Sequence, residues 1–473
     1  MKTNRTLSLF LLCHILVWSL LPVMLRPNLP MDSVEALVWG MIGEWGTNKH
    51  PPLSGWLADW AWLFGAKSPY ALYILSQVLV CGGLIYIYKL AKYFLSADKA
   101  LIATVMMEGV AYYNLVTPEY NCNIVALCLW PACSYHFYGG IKNNRLQDWV
   151  LFGLFAGLTI LNKYVSGALL LSLGLYIIST PQGRDRLSSW KLYCGAFIGL
   201  GLVLPHIIWL YNRDFFVIDY FLGRTSGNNL PYYLGHIIYP LKFIASQIMT
   251  ASLALLVFII AYRHADSQKI TLSKSDGKFI FYAGILPLLI MIIIPLLTGV
   301  KLKSMWGSPS LYMLTIILFV WKPFNISKVR KFLLAASYGL MLLFALVFAL
   351  QCLTTLSPKF NLKAQDFTNH LSSSDVKYVG GSIWLASTIG VYNQSNPQVF
   401  FEMNPSFNPW IRKDDIIKYG ALVVAENINT YNQYRQEFSE LETAKVYMIK
   451  SRNIFGKQKE YPVYYGYLAG DNK

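Results

Sequence analysis

The chain has 473 residues, 55% of them hydrophobic and only 14% charged, with a formal net charge of +16. Soluble domains carry about 25% charged residues, so this composition excludes an ordinary water-soluble protein and places most of the chain in lipid. The apolar runs are continuous rather than alternating, which excludes a β-barrel and predicts an all-α polytopic membrane protein. The basic residues are scattered through short loops and form no stripe, so the charge fits membrane topology and anionic lipid rather than nucleic acid.

The first apolar run, 6–25, precedes Arg26-Pro27-Asn28 and lacks a small-residue cleavage site. It is expected to remain as a first helix rather than leave as a signal peptide. The full pattern predicts about eleven spans, near 6–25, 70–88, 100–117, 120–138, 149–162, 165–180, 192–211, 238–262, 279–298, 305–321 and 332–355. The seven cysteines all fall in apolar segments without CxxC or His/Cys metal spacing. They read as small buried apolar residues.

One set of alternate loops carries Lys2 and Arg5, then Lys89, Lys92 and Lys99, then Lys142 and Arg145, then Arg184, Arg186 and Lys191, then Arg263, Lys269, Lys274 and Lys278, and finally Lys322, Lys328, Arg330 and Lys331. The opposite set carries only Arg26, Lys49, Lys67, Lys163, Arg213, Arg224, Lys301 and Lys303. This bias predicts a cytoplasmic N-terminus. With an odd number of spans the tail then lies outside, on the periplasmic side of a bacterial inner membrane. Asp32, Glu35, Lys49, His50, Glu119, Lys163, Arg224, Lys301 and Lys303 all fall on that outer face. Polar groups gathered from separate loops at a membrane surface are functional candidates. For any single lysine, the alternative is a side chain that snorkels to the headgroups.

The first outer loop, 27–68, is expected to hold two amphipathic helices. In the first, about 32–44, Asp32 and Glu35 share a face. Val34, Leu37, Val38, Met41 and Ile42 lie opposite, so the helix would lie flat on the membrane. A carboxylate there is partly desolvated and is a stronger base for an acceptor hydroxyl. The competing assignment is Asp32 as N-cap with Glu35 as its capping-box partner. His50-Pro51-Pro52-Leu53 opens the second helix, with Trp56, Trp60 and Trp62 as interface anchors. His50 lacks a second ligand at metal spacing. Glu119, in Thr117-Pro118-Glu119, suits a sugar hydroxyl or a cation, or simply a helix N-terminus. Lys163, in Asn162-Lys163-Tyr164, and Lys301 and Lys303 beside Trp306 offer ammonium groups to a phosphate, with Arg224 as a further candidate. The polar tail, 357–473, alternates short apolar runs with helical patterns and predicts a small α/β domain after a membrane domain of 1–356.

These motifs carry a resemblance. Asp32-x-x-Glu35-Ala36, Trp45-Gly46-x-x-Lys49-His50-Pro51-Pro52-Leu53, Thr117-Pro118-Glu119, Leu161-Asn162-Lys163-Tyr164 and Lys301-x-Lys303-x-x-Trp306-x-x-Pro309 resemble a known family. It is the bacterial branch of the dolichyl-phosphate-mannose protein mannosyltransferase superfamily (glycosyltransferase family 39), of GT-C architecture. Pro405-x-x-Asn408-Pro409-Trp410 and the run from Tyr419 to Val424 are similar to its lipopolysaccharide-modifying members, the uronic acid and aminoarabinose transferases of lipid A or core. The resemblance implies a polyprenyl-phosphate-linked sugar donor, a lipid A or core acceptor, a periplasmic site and inversion at the anomeric carbon. It implies Asp32 and Glu35 as catalytic residues, with Lys49, His50, Glu119, Lys163, Arg224, Lys301, Lys303 and Trp306 around the donor phosphate and sugar. Glu119 stands where Asp is more usual. Lys49-His50 replaces the Glu-Lys of the aminoarabinose transferases, so no resident metal and no cofactor are expected. A protein O-glycosyltransferase with the same donor, or a lipid-linked sugar transporter, are the alternative functions.

Overall fold

The structure, a computed structural model, describes residues 2–225, 231–264, 270–322, 324–371 and 376–470. The membrane part begins with α1 (Lys2–Leu25), α2 (Met31–Ile42), α3 (Leu53–Phe64), α4 (Pro69–Ala91) and α5 (Ala97–Val105). It continues with α6 (Cys122–Asn143), α7 (Leu146–Asn162), α8 (Gly167–Ser179), α9 (Pro181–Leu187), α10 (Trp190–Tyr211) and α11 (Val217–Thr225). It ends with α12 (Tyr232–Ala261), α13 (Lys274–Ile280), α14 (Leu286–Thr298), α15 (Leu314–Trp321) and α16 (Ile326–Thr354). Among the described residues, eight helical stretches are long and apolar enough to cross a membrane, or nine if the pair Tyr164–Ser179 and Pro181–Leu187, bent by 93°, counts as one span.

Three of the eleven expected spans, 100–117, 149–162 and 165–180, are too short as single helices, and a fourth, 305–321, is long enough but joins the tight turns of Ser304–Met313 to the eight-residue α15. The stretch 100–117 is the nine-residue α5 followed by tight turns at Met106–Gly109 and Ala111–Tyr113. Glu108 sits in the break, where its carboxylate pairs with His14 of α1 at 3.0 Å, both side chains fully buried. The other two short spans, α7 and α8, have 17 and 13 residues.

Small residues set the closest helix crossings, as expected where lipid supplies no hydrophobic drive between helices. A Cβ on Gly153 of α7 would lie 1.9 Å from the Gly195 carbonyl oxygen of α10. This crossing brings the ends of α7 and α10, with Lys163 and Trp209, to the same face. In the first loop, a Cβ on Gly40 of α2 would lie 2.2 Å from the Gly55 carbonyl oxygen of α3.

The tail holds α17 (Pro358–Asn361), α18 (Ala364–Leu371), α19 (Ile383–Tyr392), α20 (Lys413–Tyr419) and α21 (Ile428–Glu437) around a five-stranded sheet. Its strands are β1 (Tyr378–Gly381), β2 (Gln398–Phe401), β3 (Ala421–Ala425), β4 (Lys445–Arg452) and β5 (Gln458–Leu468), in the order β2-β1-β3-β5-β4. The first three are parallel, with Val379 opposite both Val399 and Leu422, while β5 and β4 run antiparallel as a hairpin. Apolar β1–β3, buried on both faces, fit a parallel sheet covered by helices.

The tail changes the surroundings of α2. This helix does not lie flat on lipid: Val34 and Leu37 are fully buried and α19 packs on it, with Gly390 against Val38. Trp60 stays exposed, as an interface anchor would require, whereas Trp62 turns inward against the Tyr392 ring, centroids 6.4 Å apart. Its amphipathic pattern is the same whether the apolar side meets lipid or protein, and the tail supplies protein.

The Gly40–Gly55 crossing yields a testable outcome. Gly40→Leu forces α2 and α3 apart and destabilises the chain by about 1–3 kcal/mol or more, read as a lower thermal midpoint of the purified protein in detergent. Gly174→Ala, at a helical position with nothing within 4 Å of the new Cβ, leaves the midpoint unchanged or slightly raised.

Candidate active site

Two prolines start the first-loop helices. Pro30 precedes α2 and Pro52 precedes α3, and neither helix has a side-chain cap. Asp32 is therefore not the N-cap of the competing capping-box assignment: the N-cap lies two residues earlier, at the extended Pro30. Between the helices, Trp45-Gly46 docks on the end of α10. The Trp45 carbonyl oxygen meets His206 Nδ1 at 2.6 Å, and a Cβ on Gly46 would strike the Trp209 ring at 2.4 Å. Trp209 Nε1 and Arg213 Nη2 both donate to Glu44 Oε2, at 2.5 and 3.1 Å. Thr47 Oγ1 then accepts from the backbone N–H groups of Lys49 and His50, at 3.1 and 2.8 Å, and fixes the turn that presents both side chains.

These elements wall a cavity of about 450 Å³. Asp32, Glu35, Lys49, His50, Lys163, Lys303 and Trp306 all line it. Lys49 Nζ donates to Glu35 Oε1 in an ion pair whose side chains are only 13% and 6% exposed. Lys49 also lies 5.7 Å from the Trp39 ring, which packs edge-on against His50. Burial, the largest single influence, would lower the Lys49 ammonium's pKa, but the charge and hydrogen bond of Glu35 together with nearby Tyr220 and Asp32 hold it above its ordinary value. Breaking a buried pair of this kind costs about 3–5 kcal/mol, because one charge is left uncompensated.

Lys163, 4% exposed, also lines the cavity, from the break between α7 and α8. Its ammonium donates to Asn123 Oδ1 and sits 5.8 Å from the Trp306 ring. Burial lowers its pKa, while the charge of Asp32 acts in the other direction. A polar chain joins Lys163 to Asp32. Asn123 Nδ2 donates to Asn121 Oδ1 at 3.0 Å, and Asn121 Nδ2 donates to Asp32 Oδ2 at 3.1 Å. Trp306 stacks on Phe221 of α11, with centroids 5.8 Å apart at 17°.

Glu119 stands one layer behind the cavity. Its Oε1 accepts the Asp32 backbone N–H at 3.3 Å. Lys301 is not brought in: Gly299, at φ 66°, ends α14 and turns the chain outward, leaving Lys301 exposed with its backbone N–H on the Thr225 carbonyl. The tight turns of Ser304–Met313 then bring Trp306 back beside Lys303 at the wall. Arg224 belongs to α11, but its side chain lies outside the described residues. Among the described residues, no three His, Cys, Asp or Glu side chains group as a metal would need. Sequence reasoning missed Asn121 and Asn123, although two amides opening an apolar helix directly after Thr117-Pro118-Glu119 were a usable signal. Tyr220, Phe221 and Met305 also line the cavity, and nothing in their apolar surroundings marks them.

The Glu119 carboxyl is pushed above its ordinary range, first by burial and then by the charge of Asp32. A raised folded pKa means tighter proton binding in the folded state. That stabilisation is complete below the unfolded value and is lost as pH rises through the folded one. Glu119→Gln, which stays neutral and keeps an acceptor for the Asp32 N–H, therefore raises the thermal midpoint relative to the parent at about pH 8. The advantage shrinks as pH falls toward the ordinary glutamate value and disappears about one unit below it, near pH 3. A pH series of melting curves on both proteins checks this.

Comparison with known proteins agrees with the motif reading. Residues 49–209 match the family model described as dolichyl-phosphate-mannose-protein mannosyltransferase. The lipopolysaccharide core galacturonosyltransferase RgtB of Rhizobium johnstonii is 24% identical over 297 residues, which is 61% of this chain and 59% of the relative. RgtA of the same organism is 21% identical over 270 residues, 55% of this chain and 53% of the relative. The chain thus spans less than two thirds of the curated relatives it matches. The crystal structure of ArnT from Cupriavidus metallidurans bound to undecaprenyl phosphate superposes with a TM-score of 0.60 at 12% identity, over 98% of both chains. The apo form gives 0.54 at 13% identity over 99% of both. At such identities the likeness is one of fold. The chain carries the GT-C fold and, over residues 49–209, the match to the dolichyl-phosphate-mannose-protein mannosyltransferase family that its first-loop motifs imply.

Proposed function

We propose that this chain is an inverting glycosyltransferase that moves a sugar from a polyprenyl-phosphate donor to lipid A or the lipopolysaccharide core at the outer face of a bacterial inner membrane. The observation that carries the reading is the cavity itself: a carboxylate, Asp32, and a buried ammonium, Lys163, at the two ends of one polar chain that lines a single space. The relatives named for core galacturonosyl transfer, and the neighbour bound to undecaprenyl phosphate, support the same substrate classes. The loop charge bias supports a cytoplasmic N-terminus and a periplasmic tail, with the membrane domain ending near residue 356.

The chemistry follows from where charge moves. The acceptor hydroxyl oxygen attacks the anomeric carbon from the face opposite the phosphate. The bond from that carbon to the phosphate oxygen breaks, its electron pair stays on the phosphate, and the configuration inverts. Lys163 and Lys303 face the charge that grows on the leaving phosphate, and Trp306 lies against the lipid-linked group. Asp32, oriented through Oδ2 by Asn121, receives the hydroxyl proton as general base. Glu35, neutralised by Lys49, positions the donor rather than taking a proton. Glu119 holds the start of α2 through the Asp32 N–H. For an acceptor phosphate oxygen no base is required, and Asp32 would orient the sugar.

Asp32→Asn keeps the Asn121 contact but removes the base. It is expected to lower sugar transfer by about 10²- to 10⁴-fold while undecaprenyl phosphate binding is retained. Lys163→Ala instead loses both. The assay is transfer by purified protein, paired with mass spectrometry of lipid A, core and secreted proteins from a deletion strain. A sugar missing from the lipopolysaccharide supports the reading; a loss confined to protein glycans moves the acceptor to protein.

A further inference from the structure

A second cavity, of about 380 Å³, adjoins the first and shares Tyr220 with it. Its walls come from three distant parts of the chain: Asn48 in the first-loop turn, Asp219 in α11, and Ser406 and Phe407 in the tail. No role described above uses it. Its position still couples it to the site, because Asn48 immediately precedes Lys49, which lines the first cavity.

Asn48 is 1% exposed, and its side-chain oxygen Oδ1 has no hydrogen-bond partner among the described residues. Buried amide oxygens are almost always satisfied, so an orphan in a cavity wall points to a donor supplied from outside the chain. The facing tail turn is built rigidly. Asn408, fully buried, accepts from the Phe401 N–H at 3.0 Å and donates to the carbonyls of Phe401 and Asn404 at 2.9 and 2.7 Å. Those three bonds clamp the Pro405–Phe407 turn and hold Ser406 and Phe407 against the cavity.

The lining chemistry selects the ligand. The Asn48 oxygen and the Asp219 carboxylate are acceptors and call for hydroxyl donors. The Phe407 and Tyr220 rings offer apolar faces to the C–H face of a pyranose. A phosphate presents acceptors and negative charge, and it meets the charge of Asp219. We propose that the second cavity is the acceptor subsite and that it takes an uncharged, hydroxyl-rich hexose of a glycan, held between the first loop and the tail. This rests on the transferase reading above: a sugar seated there lies across Tyr220 from the donor cavity, with its reacting hydroxyl directed to it. The tail domain then contributes directly to acceptor choice.

The test uses the full chain in lipid nanodiscs, titrated separately with a dephosphorylated core oligosaccharide, with a phosphorylated glucosamine disaccharide and with undecaprenyl phosphate. Asn48→Leu and Asp219→Ala are each expected to weaken oligosaccharide binding by about tenfold or more and to leave undecaprenyl phosphate binding within about twofold. Asp219→Asn restores part of the affinity. Because Asp219 is exposed, its variants keep the test decisive if Asn48→Leu fails to fold. Oligosaccharide binding unchanged in Asp219→Ala, or tighter binding of the phosphorylated disaccharide, overturns the proposal. A chain that binds undecaprenyl phosphate but not the oligosaccharide overturns the acceptor subsite alone. One that binds the oligosaccharide through Asn48 and Asp219 but not undecaprenyl phosphate contradicts the donor reading and supports the sugar subsite.

Discussion

Lys163 carries an ammonium group into a place where charge is expensive. An isolated buried charge costs several kcal/mol, and the break between α7 and α8 that holds this one is closed by protein on nearly all sides. The charge is tolerated because Asn123 accepts from it, Asn121 accepts from Asn123, and Asp32 accepts from Asn121. That single chain of hydrogen bonds fixes the register between α2, the start of α6 and the end of α7. A buried cation with a carboxylate at the far end of its network attracts a substrate that is itself anionic at one point and must lose a proton at another.

Around this network the helices provide stiffness. Glycine contacts bring α7 onto α10 and α2 onto α3 more closely than any side chain would allow. Glu44, Trp45 and Gly46 lock the first loop to the end of α10, so the turn bearing Lys49 and His50 is held from both sides. The tail closes the assembly by packing α19 on α2, which converts a surface helix into a buried one. The Glu35–Lys49 pair follows from that burial: once α2 is covered, Glu35 needs a partner close by, and the Thr47 turn delivers it.

Much of this was legible in the sequence. The low charge content and continuous apolar runs announce a helical membrane protein, and the short apolar runs of the tail at 378–380, 399–401, 421–424, 446–449 and 462–465 lie in its five strands. Asp32, Glu35, Lys49, His50, Lys163, Lys303 and Trp306 were singled out by residue type and loop position, and they line one cavity. What could not be read depends on contacts between distant segments. The 100–117 run breaks at Glu108, whose buried partner His14 lies 94 residues away. Lys301 and Lys303 look equivalent in the chain, yet Lys301 is left exposed where its backbone pairs with Thr225, while Lys303 opens the tight turns of Ser304–Met313 that line the cavity. Asp32 resembled an N-cap because local sequence cannot say that Pro30 starts the helix instead.

The central claim is that a lipid-linked phosphate binds at the Lys163 end of the polar chain and that the acceptor proton is taken at its Asp32 end. A cryo-electron microscopy structure of the chain with undecaprenyl phosphate tests it most directly. The account predicts phosphate density within about 3 Å of the Lys163 or Lys303 ammonium, beside the Trp306 ring, with space for a sugar between it and Asp32. Phosphate density outside this cavity, for example on the exposed Lys301, would contradict it.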